Sequence, residues 1–197
     1  TGNTPGAWTL INTAGAINDG GAGGTFVWTV PHVYSNNVVV RVQDNADSLT
    51  FNDTGVFTVR GDIKITSPVG GQLWGVAEVQ NITWDSVGTV GSPNEIYIFY
   101  KKSVGGAWIQ LQRPTLEYNI PNTGTFAWTP PESELSTDAY VKVENIIAPT
   151  DSRYVATQSS TAFKLMRRYQ LIDPDGGEIY VAGSPRDITW NKWGTPN

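Results

Sequence analysis

Acidic pairs are the side chains in this sequence with the clearest capacity for catalysis. Glu132 and Glu134 lie two residues apart, and Asp173, Asp175 and Glu178 form a second acidic group. Two carboxylates on either side of a sugar can hydrolyse a glycosidic bond, but each of these groups falls within one short turn rather than across a cleft. We therefore interpret both groups as turn residues.

His32 is the only histidine, and it follows Pro31 in a predicted turn. A Ser-His-Asp or Cys-His site needs an imidazole beside its nucleophile, and the chain contains no cysteine. Glu132 takes the place of His32 in the internal repeat described below, so the histidine is not a shared feature. The sequence predicts a protein that is not an enzyme and has no catalytic residue.

Two loops rich in oxygen ligands are candidates for calcium, which prefers carboxylate and carbonyl oxygens. The first contains Asp44, Asn45, Asp47, Asn52 and Asp53, and the second spans residues 173–178. Their spacing matches no defined calcium loop, and Asp and Asn also favour turns for backbone reasons. We predict no cofactor and no metal ligand, with calcium as the alternative.

Carbohydrate binding needs aromatic rings on an exposed face, and five residues are candidates for that role: Tyr97, Tyr100, Tyr118, Tyr154 and Trp193. Asn52 and Asn81 each begin an Asn-x-Thr pattern that accepts N-linked glycans. Because Asn81 leads directly into a predicted strand, Asn52 is the better acceptor, provided that the host glycosylates.

Composition excludes two classes of partner. The chain has 197 residues and a net charge of −5, with no basic stripe that could neutralise phosphates, so we predict no nucleic-acid partner. Apolar runs such as residues 38–40 are far shorter than the roughly 20 residues of a spanning helix, so we predict no membrane span. The sequence begins at Thr1 without a signal peptide, which we read as a processed or partial chain.

Alternation of apolar and polar residues dominates the sequence, and sustained helical periodicity is missing. Strands are predicted near residues 63–66, 79–85, 94–102, 107–112, 124–129, 138–145 and 159–166. Seven short strands separated by Gly, Pro, Asn and Ser turns predict an all-β fold, with immunoglobulin-like or fibronectin-III-like β-sandwiches in tandem.

The tandem arrangement is predicted by an internal repeat with the length of one domain. Trp8 and Trp28 recur as Trp108 and Trp128, and the segment NITWD recurs about one domain later as DITWN. Because large aromatic residues fill sandwich cores, we expect Trp84, Trp108 and Trp128 to be buried. The repeated Gly-Gly after each equivalent proline predicts a turn that needs positive φ.

The repeat divides the chain into three units. Residues 1–61 correspond to the C-terminal part of one repeat, residues 62–167 to a complete repeat, and residues 168–197 to the N-terminal part of the next. Junctions of only a few residues predict a stiff rod. The complete unit also carries five extra residues within 146–154, in a loop where repeats are free to vary.

Two interpretations of the partial units stay open. In the first, neighbouring repeats continue at both ends of the chain. In the second, the early strands of one chain complete the partial domain of another copy, head to tail, as in strand complementation. The second arrangement would leave no equivalent of residues 92–100, a predicted central strand.

Three motifs carry a resemblance to a known family: ITSPVGGQLW at 65–74, NITW at 81–84 and GTFAWTP at 124–130. The complete unit resembles the Ser/Thr-rich, GPI-anchored fungal cell-wall protein domain and its bacterial relatives, which occur as tandem Ig-like repeats in large secreted or surface proteins. The resemblance implies an extracellular, non-enzymatic β-sandwich module and carries over no catalytic residue.

These observations predict a structural repeat of a long extracellular or cell-surface protein or fibre: a spacer, stalk or filament building block. Its expected partners are neighbouring repeats or copies of the same protein. The alternative is an adhesin or carbohydrate-binding repeat array whose partners are surface glycans.

Overall fold

The computed structural model describes residues 8–12, 23–88, 90, 94–113, 115, 117–159 and 161–194. Over these residues the regular elements are all β-strands, which confirms the all-β prediction. No helix there is long and apolar enough to cross a membrane. The strands are β1 (Ser35–Val38), β2 (Arg41–Gln43), β3 (Phe51–Asp53), β4 (Phe57–Val59), β5 (Asp62–Ser67), β6 (Leu73–Gly75), β7 (Gln80–Val87), β8 (Glu95–Lys101), β9 (Ile109–Gln110), β10 (Ile120–Pro121), β11 (Thr125–Trp128), β12 (Ser136–Asn145), β13 (Ala156–Gln158), β14 (Phe163–Met166), β15 (Arg168–Asp173) and β16 (Thr189–Trp193).

Residues 62–167, called the middle segment below, form two sheets. The smaller sheet has the order β11-β7-β5 and is antiparallel. The larger sheet has the order β10-β8-β12-β14-β6, with β9 on β8 and β13 on β12. Its β14–β6 pair is parallel and joins a late strand of the segment to an early one.

Alternation along the central strands decides which side chains face the interior, because successive residues of a strand point to opposite sides. In β8, Ile96, Ile98 and Tyr100 are buried, whereas Tyr97 and Phe99 between them are only half-buried. The same period of two runs through β12. Each strand therefore has an apolar inner face and a mixed aromatic and charged outer face.

One hydrophobic core lies between the two sheets. The smaller sheet contributes Ile82 and Trp84. The larger sheet contributes Phe163 and Trp74, whose ring centroids are 5.0 Å apart. The indole of Trp84 donates a hydrogen bond of 2.7 Å to Asn122 Oδ1, so its one polar group is satisfied. Two sheets that share one core are consistent with a β-sandwich.

The Pro-x-Gly-Gly turn before β6 shows why glycine occupies two successive positions. Gly71 has φ of +80°, which confirms the predicted left-handed conformation. Gly70 has a different constraint, because a Cβ there would lie 1.3 Å from Thr161 Oγ1. A side chain at either position would displace the turn that leads into β6.

The flanking segments form two-stranded ribbons whose registers match those of the middle segment. In the C-terminal segment, residues 168–194, β15 pairs with β16 and places Leu171 opposite Trp190. In the middle segment, β5 pairs with β7 and places Ile65 opposite Trp84. Ile65 precedes Leu171 by 106 residues, and Trp84 precedes Trp190 by the same number. Both ladders shift register immediately after that pair.

The N-terminal segment, residues 8–12 and 23–61, shows the same correspondence. Ser35 lies opposite Val59 in the β1–β4 ribbon, and Ser136 lies opposite Leu165 where β12 meets β14. Each of these ladders shifts register directly after its serine.

Two details of the strand prediction and one of the predicted core differ from the structure. Short strands β6, β10 and β13 were not predicted, and residues 107–112 form a strand only at Ile109–Gln110. Trp84 and Trp128 are buried as expected, but Trp108 is half-buried on the outer face of the larger sheet. Residues 92 and 93 of the predicted central strand, and Thr1, lie outside the described residues.

Candidate functional site

The outer face of the larger sheet in the middle segment carries lysines stacked on aromatic rings. Lys142 Nζ lies 4.3 Å from the ring centroid of Phe99 and 5.4 Å from that of Trp108. Lys101 Nζ lies 4.6 Å from Trp108 and 5.0 Å from Tyr140. Each ammonium is attracted to the negative faces of two rings, which holds the aromatic side chains in fixed positions.

A charged and hydrogen-bonded group continues this layer. Lys142 Nζ lies 2.6 Å from Glu144 Oε2, and the same oxygen accepts a hydrogen bond of 2.5 Å from the Tyr154 hydroxyl. Burial, together with the Glu144 carboxylate, raises the pKa of Tyr154 to about 12. The hydroxyl therefore stays protonated and acts as a hydrogen-bond donor at neutral pH.

A similar arrangement occurs in the N-terminal segment. Arg41 Cζ lies 4.3 Å from the ring centroid of Trp8 and 3.7 Å from that of Phe51. Its guanidinium also forms a bidentate ion pair with Asp53, in which Nε donates to Oδ1 at 2.6 Å and Nη2 donates to Oδ2 at 2.7 Å. These hydrogen bonds lower the pKa of Asp53.

Arg41 and Lys142 occupy matching places in their ladders. Arg41 is opposite Asp53 on β3, and Lys142 is opposite Gln158 on β13. A cation on a tryptophan is therefore present at the same place in two segments of the chain.

A concave site lies beside this face, with a cavity volume of about 610 Å³. Its lining combines two tyrosine rings with amide, carboxylate and guanidinium groups: Glu95, Tyr97, Gln110, Arg113, Glu117, Tyr118 and Asn119. Asn119 Nδ2 donates to Glu95 Oε2 at 3.2 Å, and Arg113 Nη1 lies 2.5 Å from Glu117 Oε2. We call this site the tyrosine cleft.

The predicted acidic groups have structural partners. Glu132 Oε2 accepts a hydrogen bond of 3.1 Å from the backbone N–H of Gly194, and Glu134 lies 3.6 Å from Lys102 Nζ. The carboxylate of Glu178 accepts the backbone N–H groups of Asp175 and Gly176 at 2.6 and 2.9 Å.

Asp173 and His32 were also candidates for catalysis, and both lie among local contacts. Asp173 accepts a hydrogen bond from the Tyr180 hydroxyl at 2.9 Å. His32 lies exposed in a turn, where Val33 N donates to Pro31 O. These contacts fix turns and junctions rather than line a cleft.

The Asp-rich loop proposed for calcium is likewise hydrogen-bonded to itself. Asp44 Oδ1 accepts hydrogen bonds from the backbone N–H groups of Ala46 and Asp47. The Asp47 carboxylate accepts hydrogen bonds from the backbone N–H of Leu49 and from the hydroxyl of Thr50. These bonds lower the pKa of both carboxyl groups. Within the described residues, no three acidic or histidine side chains converge as metal ligands would.

The structure separates the five aromatic residues predicted for glycan binding. Tyr97 and Tyr118 line the tyrosine cleft, whereas Tyr154 is held by Glu144. Tyr100 is buried in the core, which corrects the expectation that its ring is available to a ligand. Trp193 packs against the core beneath Arg168, whose Cζ is 3.8 Å from its ring centroid.

The two candidate glycan acceptors differ in their position. Asn52 is exposed at the centre of the short strand β3, and Asn81 is exposed within β7, opposite Ala127. Both side chains thus point to solvent, although each lies in a strand rather than a loop.

The lysine–aromatic layer was missed by the sequence analysis, although a signal for it existed. Residues 95–101 alternate strictly, so burial of Ile96, Ile98 and Tyr100 requires Tyr97, Phe99 and Lys101 to share the opposite face.

No protein-family model matches the chain, and no curated protein matches it significantly.

Proposed function

We propose that the protein is a tandem array of immunoglobulin-like or fibronectin-III-like sandwiches with units 1–61, 62–167 and 168–197. It would serve as a non-enzymatic structural repeat of a long extracellular or cell-surface protein: a spacer, stalk or filament building block. The observation that carries the proposal is the matching register of β5–β7 and β15–β16, with Ile65 opposite Trp84 and Leu171 opposite Trp190. Register depends on the burial pattern of a whole strand, so a shared register supports a shared domain plan.

The parallel β14–β6 pair supports a mechanical role. Lys164 N donates to Gln72 O at 2.8 Å, and Val76 N donates to Met166 O at 3.0 Å. Since β6 follows soon after the start of the unit and β14 ends it, tension along the chain would load these hydrogen bonds together rather than one at a time. That geometry suits a spacer that must not unravel.

Cellular location is part of the same proposal. The resemblance of the complete unit to tandem domains of secreted and surface proteins supports an extracellular site, and the lack of cysteine frees the fold from disulfide formation. The acidic candidates give no support to catalysis, because Glu132 and Glu178 already hold backbone N–H groups.

Single-molecule stretching of residues 1–197 tests the mechanical proposal. We expect one cooperative event that releases a contour length of about 350–380 Å, since each residue of an extended chain spans about 3.3–3.6 Å. Lys164→Pro removes the donor to Gln72 and should lower the unfolding force. Extension without a cooperative event would contradict the spacer function.

A second candidate, adhesion to a glycan, is favoured by the tyrosine cleft. Tyr97 and Tyr118 offer rings against which the C–H face of a sugar could pack. Gln110, Asn119 and Arg113 offer hydrogen-bond donors to sugar hydroxyls. A cleft that combines these groups has the composition of a saccharide site.

A glycan array probed with residues 1–197 tests this candidate. Tyr97→Ala and Tyr118→Ala should each weaken any binding by about tenfold, the loss expected for one aromatic contact with a ligand. Tyr169→Ala, which removes an exposed tyrosine of the C-terminal segment, is the matched control. Absence of binding, or an equal loss of binding in all three variants, would contradict the adhesion function and would leave only the structural role.

A further inference from the structure

Four of the five extra residues of the middle segment fall between β12 and β13, in a loop that includes residues 146–154 and contacts the N-terminal segment. Thr58 Oγ1, at the end of the N-terminal segment, donates to Ser152 Oγ at 3.0 Å. The Arg60 guanidinium donates to the backbone carbonyl oxygen of Tyr154. These contacts join residues 94 positions apart, across the junction between the two segments.

Arg153 adds a cation–π contact to this junction. Its Cζ lies 5.0 Å from the ring centroid of Tyr34, in the N-terminal segment. Asp151 holds the guanidinium in place with hydrogen bonds of 3.0 and 2.7 Å, and accepts the backbone N–H of Arg153 at 2.8 Å. A guanidinium already oriented within its own loop loses little freedom when it packs on the ring.

Asn145 anchors the loop from beneath, with 1% of its surface exposed. Its Nδ2 donates to Arg153 O at 3.0 Å and to Val90 O at 2.8 Å. Its Oδ1 accepts the backbone N–H of Val155 at 3.1 Å. All of its buried polar atoms are therefore paired, and the loop is fixed to the body of the segment.

The equivalent loop of the N-terminal segment is built differently. There β2 ends at Gln43, and the following turn closes directly on itself, with Asp44 N donating to Thr50 O at 2.8 Å. Asp44 holds two backbone N–H groups of the same turn, at Ala46 and Asp47. Residues 44–50 of this shorter turn include no arginine or lysine that could act as Arg153 does.

We propose that residues 146–154 form a docking clamp whose partner is the preceding repeat of the same chain, and that loop length sets the stiffness of each junction. A repeat with the long loop is held by its predecessor's Tyr34, Thr58 and Arg60, or their equivalents. A repeat with the short loop lacks these contacts and bends more freely. The proposal rests on the assignment of consecutive repeats made above.

Spin labels offer a direct measurement, because the chain has no cysteine and two can be introduced without background. Asn52→Cys and Lys64→Cys place labels at exposed strand positions on either side of the junction. The distance distribution between them should be narrow in the parent protein. Arg153→Ala and Tyr34→Ala should each broaden it by about twofold or more, as expected when segments move independently.

Arg113→Ala is the matched control, since it removes an arginine–carboxylate pair of the same segment whose two residues both lie outside the loop 146–154. Near-ultraviolet circular dichroism shows whether each variant is folded. If Arg153→Ala or Tyr34→Ala prevents folding, the milder substitutions Thr58→Ala and Ser152→Ala take their place in the distance measurement. A distribution that stays narrow in folded Arg153→Ala and Tyr34→Ala proteins would overturn the clamp. A broad parent distribution would also overturn it while leaving the stretching result, and the spacer function, unaffected.

Discussion

The side-chain nitrogen of Asn145 lies 3.5 Å from the hydroxyl oxygen of Tyr34, although 111 residues separate them in the chain. Asn145 ends β12 of the middle segment, and Tyr34 precedes β1 of the N-terminal segment. Partial burial raises the pKa of the Tyr34 phenol, more strongly than the nearby Arg153 cation lowers it. The buried Asn145 amide therefore contacts both the loop that it supports, residues 146–154, and Tyr34 of the neighbouring segment.

Replacement of Asn145 should be costly for the middle segment. Asn145→Ala leaves Val90 O, Arg153 O and Val155 N without their present partners, and each buried unsatisfied group costs about 1–3 kcal/mol. We expect a loss of about 2–4 kcal/mol in the free energy of unfolding, measured by urea denaturation. Asn119→Ala, which removes an exposed amide bonded to Glu95, should change it by less than about 0.5 kcal/mol. Equal effects would contradict the anchoring role.

The Asp151–Arg153 pair should make the loop sensitive to acid. Hydrogen bonds from the Arg153 side chain, and then from its backbone, lower the pKa of Asp151 to about 2, well below its ordinary value. Because the folded-state pKa is depressed, the pair contributes fully above about pH 4 and is lost as the pH falls toward 2.

Carbon-13 NMR of the Asp151 carboxyl group measures this titration. Arg153→Gln should move the midpoint up toward that of an ordinary aspartate, whereas Arg113→Ala should leave it in place. An unshifted midpoint in the parent protein would mean that the pair is not formed in solution.

Trp84 and Trp190 occupy equivalent ladder positions but should respond very differently to substitution. Trp84 is 2% exposed and hydrogen-bonded to Asn122, whereas Trp190 is 54% exposed. Trp84→Ala should destabilise the middle segment by about 3–5 kcal/mol, as for a large core side chain. Trp190→Ala should leave the urea midpoint of that segment unchanged. A comparable loss in both variants would show that the C-terminal ribbon is part of the same cooperative unit.

Strong period-two alternation made the long strands predictable. Glu95–Lys101, and Ser136–Asn145 from Ala139 onward, bury every second residue, and both strands were expected within a few positions. Leu73–Gly75 was missed because three residues ending in glycine have little local preference for a strand. Its pairing partner, Phe163–Met166, lies far along the chain, so only tertiary structure defines it.

The misplacement of Trp108 has a different cause. A large aromatic residue was assigned to the core by its type, but it lies just outside β9, where Lys101 and Lys142 cover its ring. Contacts across the junction, such as Thr58 with Ser152, had no local signal at all. Only the extra length of residues 146–154 marked that region in the sequence.

The C-terminal ribbon should drive concentration-dependent association of the protein. Leu171, Ile188 and Trp190 are exposed, whereas Ile82 and Trp84, at the equivalents of Ile188 and Trp190, are buried by the larger sheet. An apolar sheet face of this kind gains free energy when a second surface covers it. We expect a second copy of the chain to provide that surface, because its N-terminal segment also exposes apolar side chains.

Sedimentation velocity over a range of concentrations measures this association. Ile188→Lys should shift the population toward monomer, because it places a charge at the centre of the proposed contact. Leu73→Lys, an equally exposed position on the middle segment, is the matched control and should leave the association unchanged. If the parent protein is a folded monomer at every concentration, the exposed face does not pair with another copy, and the head-to-tail arrangement is excluded in favour of neighbouring repeats in the same chain.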